Sequence, residues 1–556
     1  MDERPSGLSI PIKERIEPDT SSMDSLGVAL NWIAWCTTLH RACRAVSSNV
    51  KFPTRLLSVG GLGAEHLKLV EPDEPTTWVC LTHRWGGKKP KCLTRRSNYE
   101  NQRREIPWES FPRTFQDAVI LTRRLGYQYL WIDCLCIIQD DDDDWRHESS
   151  YMSDYYGGAL LTIAASGAQD CEQGIFNSDV ELAPQFGLSG GMNGLICARC
   201  SASHRLQAER NNVQSEELPI LSRAWVYQER MLSRRVLHFT PRELQWECRC
   251  DSACQCGLIT KDNTNPKVDH ARLFEADGEF TQQDLLMRWA RVIGEYSQLE
   301  LSFAKDRLPA LSGLAKQFQT RMIDYQYLAG LWLPRHTDLY ASNDSYLVWD
   351  LLWAKPRNER LFQRPKPWQA PTWAWSSVHG AVKHPWHERL NSNEKYGIFG
   401  NREKSKRLIK VLHAETTPLN QPDVTGEVSA AHLRLRGPIV EGTLSYRSYP
   451  ASPISTDDFV LRTGVVGEYI NNIAVDCVVH DIEDVDDFIA HGGNVYVLRV
   501  CLIGMEPRVI SLVLKEDRHR TDLLNRIRVL RRIGIVEEDA EFNSGYHGEL
   551  KEIIIV

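Results

Sequence analysis

The chain reads as an α/β protein, with a parallel sheet flanked by helices followed by a helical segment and a β-rich C-terminal region. Three observations predict this. Nearly uninterrupted apolar runs at 78–82, 129–138 and 159–165 have the character of strands covered on both faces. Amphipathic helical stretches separate them, and strand–helix–strand–helix–strand implies right-handed crossovers and parallel pairing. From Trp373 onward, short alternating runs such as 433–439, 495–502 and 509–514 sit between glycines and prolines, the pattern of half-buried strands.

The elements follow in order. Residues 1–23 are polar, with Pro5, Pro11 and Pro18, and form a loose lead-in. Leu26, Leu30, Ile33, Ala34 and Leu39 then predict a helix over about 24–46, capped by Asp24 or Ser25. Extended segments are expected at 54–59, ending in Gly60-Gly61, and at 66–70. The run at 78–82 ends directly in His83-Arg84-Trp85-Gly86-Gly87. A helix opening after Pro112 or Thr114 presents Phe115, Ala118, Val119, Thr122 and Leu125 on one stripe, with Gly126 as its C-terminal cap. Asp140 to Asp144 lead into a second helix that reaches about Tyr156. Residues 170–215 are loop-like. Ser222 can cap a helix carrying Arg223, Trp225, Gln228, Glu229 and Leu232, and 235–239 with 244–248 read as a β-hairpin. Helices are expected over 282–299 and 308–322. The expected division is 1–50 lead-in and N-terminal helix, 51–260 α/β domain, 261–370 helical or mixed region, and 371–556 β-rich region.

Composition narrows the function classes. The chain has 556 residues and a net charge of −7, with no basic tail, which argues against nucleic acid as a partner. Neither a signal peptide nor an apolar stretch of about 20 residues is apparent, so no membrane span is expected and the protein is placed in the cytoplasm. Fifteen cysteines, an odd number without a secretory leader, read as free thiols in a reducing compartment.

Four groups of residues invite chemistry. Trp145, Glu148, Met152 and Tyr155/Tyr156 share one helix face, apolar except for Glu148. A carboxylate there is either a structural ion-pair partner of an arginine such as Arg223 or Arg230, or a catalytic group in a cleft. His83-Arg84-Trp85 follows a strand directly and could hold a phosphate and stack on a base, although a tight turn with a packed Trp explains the same residues. Asp133, inside the 129–138 run, is expected to anchor neighbouring backbone or the His83 loop. The cysteines at 248, 250, 254 and 256, with Cys197 and Cys200 upstream, lack paired knuckle spacing, so no metal site is expected.

Together these segments resemble the fungal heterokaryon-incompatibility (HET) domain family. The resemblance rests on Leu81-Thr82-His83-Arg84-Trp85-Gly86, on the segment from Leu130 to Asp140, and on Asp144-Trp145-x₂-Glu148-x₃-Met152-x₃-Tyr156. It extends through 159–165 and Ser222-Arg223-Ala224-Trp225-x₂-Gln228-Glu229-Arg230-x-Leu232-Ser233. Residues 327–332, 370–378 and 531–534 look like the β-rich region that often accompanies this domain. The resemblance implies a role in non-self recognition between hyphae that ends in programmed cell death. It also implies a fold like that of Toll/interleukin-1 receptor (TIR) domains, some of which cleave NAD⁺ with a glutamate on the helix after a central strand. Glu148 is then the expected catalytic residue, with Trp-x₂-Glu spacing where TIR sequences commonly have Trp-x₃-Glu. His83, Arg84, Trp85, Asp133 and Arg223 would line the nucleotide site. No resident cofactor is expected, NAD⁺ being a substrate. The competing expectation is a non-catalytic module that self-associates or recruits a protein partner.

Overall fold

Eight short strands of the N-terminal half build one mixed sheet whose centre is parallel. The computed structural model describes residues 17, 19–44, 50–64, 66–87, 89–178, 185–187, 195–197, 218–257, 259, 265–275, 280–335, 349–356, 364–385, 406–419, 423–446, 459–463, 469–470, 473–476, 493–503, 508–517, 527–539 and 548–556. The chain divides into two compact units, residues 1–279 and 280–556.

In the first unit the strands are Leu56–Ser58 (β1), Lys68–Val70 (β2), Val79–Thr82 (β3), Tyr129–Trp131 (β4), Leu161–Ala164 (β5), the separate antiparallel pair Gln185–Gly187 (β6) and Leu195–Cys197 (β7), Arg235–Phe239 (β8), Leu244–Cys248 (β9) and Ser252–Cys254 (β10). The main sheet has the order β10-β9-β8-β5-β3-β4-β1-β2. β3 pairs in parallel with both β4 and β5, and β5 pairs in parallel with β8. The parallel centre therefore starts at β3, steps to β4 on one side and crosses to β5 on the other. That reversal places a topological switch point at the carboxyl ends of these strands, where doubly wound sheets bind ligands. The expected parallel centre is present. The flanks are antiparallel, β1 with β2 and β4 on one edge and the β8–β9 hairpin on the other.

The helices of this unit are Met23–Leu39 (α1), Arg41–Arg44 (α2), Tyr99–Arg104 (α3), Arg113–Arg124 (α4), Asp133–Cys136 (α5), Asp142–Gly158 (α6) and Ala224–Leu232 (α7), followed by Pro266–Arg272. α4 buries Phe115, Ala118, Val119 and Thr122, and at ~1.5–3 kcal/mol for each large apolar side chain such a stripe fixes the helix on the sheet. Gly126 takes φ +83° beyond its end, as expected of a C-terminal glycine cap. α1 begins one residue before the expected start, because the Ser22 hydroxyl caps it by accepting from the Ser25 amide.

Two local expectations need correction. The apolar run 129–138 is not one strand: β4 ends at Trp131 and the chain turns into α5 at Asp133, whose Oδ1 accepts from the Cys134 amide at 2.6 Å. Burial on all sides makes a short helix and a strand look alike in sequence. Ser222 does not cap α7, since its hydroxyl donates to the Pro219 carbonyl at 2.9 Å and Arg223 occupies the N-cap.

The second unit opens with the helices Gln282–Ser297, started by a Thr281–Asp284 capping box, and Pro309–Gln319. A tight hairpin joins Tyr325–Leu328 to Leu331–Pro334. The remaining described strands form a 10-stranded sheet, in which the strand Val428–Tyr446 pairs with Lys410–Pro418, Phe459–Thr463, Gly493–Ile503 and Glu549–Ile555. Arg532, buried in this unit, is held by Asp476 and by the face of Trp353.

Candidate functional site

Three groups of polar side chains lie inside the first unit. The first surrounds Glu148, on the buried face of α6 with Met152, Tyr155 and Tyr156. Glu148 is 0% exposed. Its Oε2 accepts from the Tyr155 hydroxyl at 2.9 Å, and its Oε1 lies 3.5 Å from Nη2 of Arg55. Arg55, just before β1, is itself buried; it donates through Nη2 to both oxygens of Asp144 and through Nε to the Cys136 carbonyl at 2.8 Å. Against the opposing pull of burial, Asp144 and Glu148 raise the Arg55 pKa above its ordinary value. Asp144 also accepts from the Ile138 amide at 2.8 Å, so one member of the acidic run closes the α5–α6 turn. The side chain of Asp141 caps α6 through the amides of Asp143 and Asp144.

The arginine facing Glu148 is therefore Arg55, not Arg223 or Arg230. Residues 148 and 55 are distant in sequence, and β1, which follows Arg55, pairs with β4, which leads into α5 and α6. Arg223 donates instead to the His83 carbonyl, and Arg230 forms a bidentate pair with Glu247 at 2.7 and 2.5 Å.

The second group occupies the switch point. Thr82 ends β3 and His83 follows it, Asp133 follows β4, Arg223 is the N-cap of α7 and Glu229 lies within that helix. His83 is buried, with Nε2 3.9 Å from Asp133 Oδ1 and without a hydrogen-bond partner among the described residues, and its ring packs edge-on against Phe115. Burial, aided by Arg223 and opposed by Asp133, lowers the His83 pKa to about 4, so the ring is neutral at physiological pH. Burial also pushes Glu229 up to about 7, with Thr82 and Arg223 pulling against it and Asp133 adding to it. Asp133 is only partly covered, its side chain being 28% exposed. Arg84 and Trp85 are half-buried, and the Trp85 carbonyl accepts from Cys171 Sγ at 3.3 Å. The expected nucleotide-site residues His83, Asp133 and Arg223 thus come together, with Arg84 and Trp85 on the adjoining turn. None of the partners of Glu148 among the described residues is shared with His83. Glu229, which lies in the quoted family segment but was assigned no role, completes the group.

The third group is a fully buried relay: Ser166 Oγ lies 2.9 Å from His238 Nδ1, and His238 Nε2 lies 3.1 Å from Glu247 Oε2. Despite the upward push of burial, Arg230 and His238 hold the Glu247 carboxyl well below the usual range. Lys267 donates to the carbonyls of Arg230 and Ser233 at the end of α7, and burial pulls it down to about 7.

No disulfide joins the cysteines whose side chains are described. Cys197 and Cys200 offer no described side chains. Cys254 and Cys256 sit beside Glu243, whereas Cys248 lies with Cys36, His40 and Cys43, a grouping that the sequence reading missed. The signal available for it was the spacing Cys36-x₃-His40-x₂-Cys43, which runs from the last turn of α1 into α2.

Parallel strands in doubly wound order, with charged side chains gathered where the order reverses, define the centre of the first unit as a doubly wound α/β sheet. Residues 78–229, from the residue before β3 to Glu229, match the family model described as Heterokaryon incompatibility protein (HET). No curated protein and no solved structure matches the chain. No helix of the described residues is long and apolar enough to cross a membrane.

Proposed function

We propose that the chain is a cytoplasmic HET-domain protein of fungal non-self recognition, in which the domain acts as an interaction module. It would self-associate or recruit a protein partner and so trigger programmed cell death. The HET match supports the incompatibility role. The non-catalytic reading is carried by one observation: Glu148, the residue expected to cleave NAD⁺, is fully buried between Arg55 and Tyr155. A group that stabilises a transition state must face the reacting atoms. Glu148 faces the interior, where its pairing with Arg55 joins α6 to the segment before β1.

A second reading, NAD⁺ cleavage, draws its support from the switch point. Asp133 is partly open, His83 is neutral, Arg84 and Arg223 could meet a phosphate, and Glu229 is poised near neutrality to exchange a proton. On that reading Glu229 and Asp133, not Glu148, would carry the chemistry.

The test expresses the full chain in a fungal host and separately incubates the purified chain with NAD⁺ while nicotinamide is followed. The module reading expects arrested growth without nicotinamide release. Release that Glu148→Gln abolishes at an unchanged melting temperature would overturn it. Release that Asp133→Asn abolishes, with Glu148→Gln still active, would establish the second reading instead.

A further inference from the structure

We propose that Cys36, His40, Cys43 and Cys248 form a tetrahedral site for a thiophilic divalent cation of the zinc type, which fastens α1 and α2 to the end of β9. The four ligand atoms lie within 4.8 Å of one another. Cys36 is in the last turn of α1, His40 follows that helix, and Cys43 is in α2. The His40 amide donates to the Cys36 carbonyl and the Cys43 amide to the His40 carbonyl, both at 3.1 Å, so three ligands come from one continuous hydrogen-bonded turn. Cys248 arrives from the far end of the β8–β9 hairpin, with its Sγ 3.3 Å from His40 Nδ1. Metal bonds of about 2.3 Å to sulfur and about 2.0 Å to nitrogen give a tetrahedron with edges of about 3.5–3.8 Å. The 3.3 Å between Cys248 Sγ and His40 Nδ1 already lies close to such an edge, and no two ligand atoms are more than 4.8 Å apart.

Burial and charge point the same way. Cys36, Cys43 and Cys248 are each 0% exposed. Around them stand Arg234 and Arg235, both buried, and the half-buried Arg249. Their guanidinium groups donate to the carbonyls of Gly158, Ala159, Leu160, Ala42, Cys43 and Leu232, and Arg235 Nε donates to Cys36 Sγ at 3.2 Å. Among the described residues none of the three meets a carboxylate. Neutral thiols would leave three cations in the interior without counter-charge, which is costly. Three thiolates on a divalent cation carry a net −1 and supply part of that counter-charge. The amides of Cys250 and Asp251 also donate to the Cys248 sulfur, at 3.4 and 3.2 Å. Cys250 Sγ, 3.8 Å from Cys43 Sγ, stands beside the cluster as an outer thiol.

Loading exchanges protons for metal: one divalent cation enters, three S–H bonds give up their protons to solvent, three metal–sulfur bonds and one metal–nitrogen bond form, and no electron moves. Four protein ligands fill the tetrahedron, so the cation is structural and offers no open position for substrate.

Elemental analysis of the full chain, purified without a histidine tag from zinc-supplemented cells, is expected to give about one zinc per chain. X-ray absorption at the zinc edge should show three sulfurs and one nitrogen. Cys248→Ser and His40→Ala should lose the metal, whereas Cys254→Ser, outside the cluster, should keep it. A metal-free chain, a disulfide among Cys36, Cys43, Cys248 and Cys250, or a metal that survives Cys248→Ser but not Cys254→Ser would overturn the proposal. Because the absorption spectrum is read on the unaltered chain, it decides the matter even where a variant fails to fold.

Discussion

Arg55 stands between two carboxylates, 2.6 Å from Asp144 Oδ1 and 3.5 Å from Glu148 Oε1. The two acids are not equivalent. Asp144 keeps some solvent contact, with a side chain 17% exposed, whereas the Glu148 side chain is 1% exposed and depends on Arg55 and Tyr155. Replacing Arg55 by Met should therefore cost roughly 3–5 kcal/mol, because it strands a buried anion. Glu148→Gln should cost less, about 1–2 kcal/mol, since Arg55 keeps Asp144 and Tyr155 keeps an acceptor. The double variant should fall short of the sum of the two. Urea unfolding of the three proteins checks the order, and a Glu148→Gln loss equal to that of Arg55→Met would contradict it.

The Ser166–His238–Glu247 relay has the residue types of a hydrolase triad without its access. Ser166 is 0% exposed and meets His238 at Nδ1, with Nε2 turned to Glu247. A fluorophosphonate probe should leave Ser166 unlabelled in the native chain, as mass spectrometry can show. Glu247→Gln should cost roughly 3–5 kcal/mol, because Arg230 then lies buried without its carboxylate, while Ser166→Ala should cost only about 1 kcal/mol.

Gly86 holds the turn after His83 at φ +76°, and a Cβ there would meet Asp170 Cβ at 2.2 Å. Gly86→Ala should cost about 1–3 kcal/mol and shift the Arg84–Trp85 turn. Gly87→Ala, where a Cβ would meet nothing within 4 Å, is the matched control. Equal melting temperatures for the two would remove the conformational argument.

Local pattern carried much of this fold. The parallel centre, α4 with its glycine cap, α6, the β8–β9 hairpin and the C-terminal strands all follow from periodicity and turn residues that act within a few positions. What escaped the sequence depends on distant residues meeting. The strand at 129–138 broke at Asp133 because a buried helix and a buried strand present the same apolar run. Arg55 could not be assigned to Glu148, nor Glu247 to Arg230, without the sheet order. The cysteine cluster stayed hidden because its fourth member lies 208 residues from His40. The switch-point group was half legible: His83, Asp133 and Arg223 stood out by position, whereas the role of Glu229 emerges only from its burial beside Thr82 and Arg223.

That burial gives the last prediction its sign. His83 titrates near 4 in the folded chain and near 6.5 unfolded, so its contribution is complete above pH 6.5 and is lost as the pH falls towards 4. Glu229 titrates near 7 folded and near 4.5 unfolded, so its contribution is complete below pH 4.5 and is lost as the pH rises towards 7. Each span is worth roughly 3 kcal/mol at 1.36 kcal/mol per unit. Between about pH 4.5 and 6.5 the two slopes oppose one another. Folding there turns a cationic histidine and an anionic glutamate into two neutral groups with no net proton exchanged. Their joint contribution in the unaltered chain should accordingly be nearly flat across this window. Glu229→Gln removes one slope, and its stability relative to the unaltered chain should fall as the pH drops from 6.5 to 4.5. His83→Gln removes the other and should show the reverse, a relative loss as the pH rises over the same window. Urea unfolding at half-unit pH steps reads both, and parallel profiles for the two variants would show that these groups do not share one compensated site.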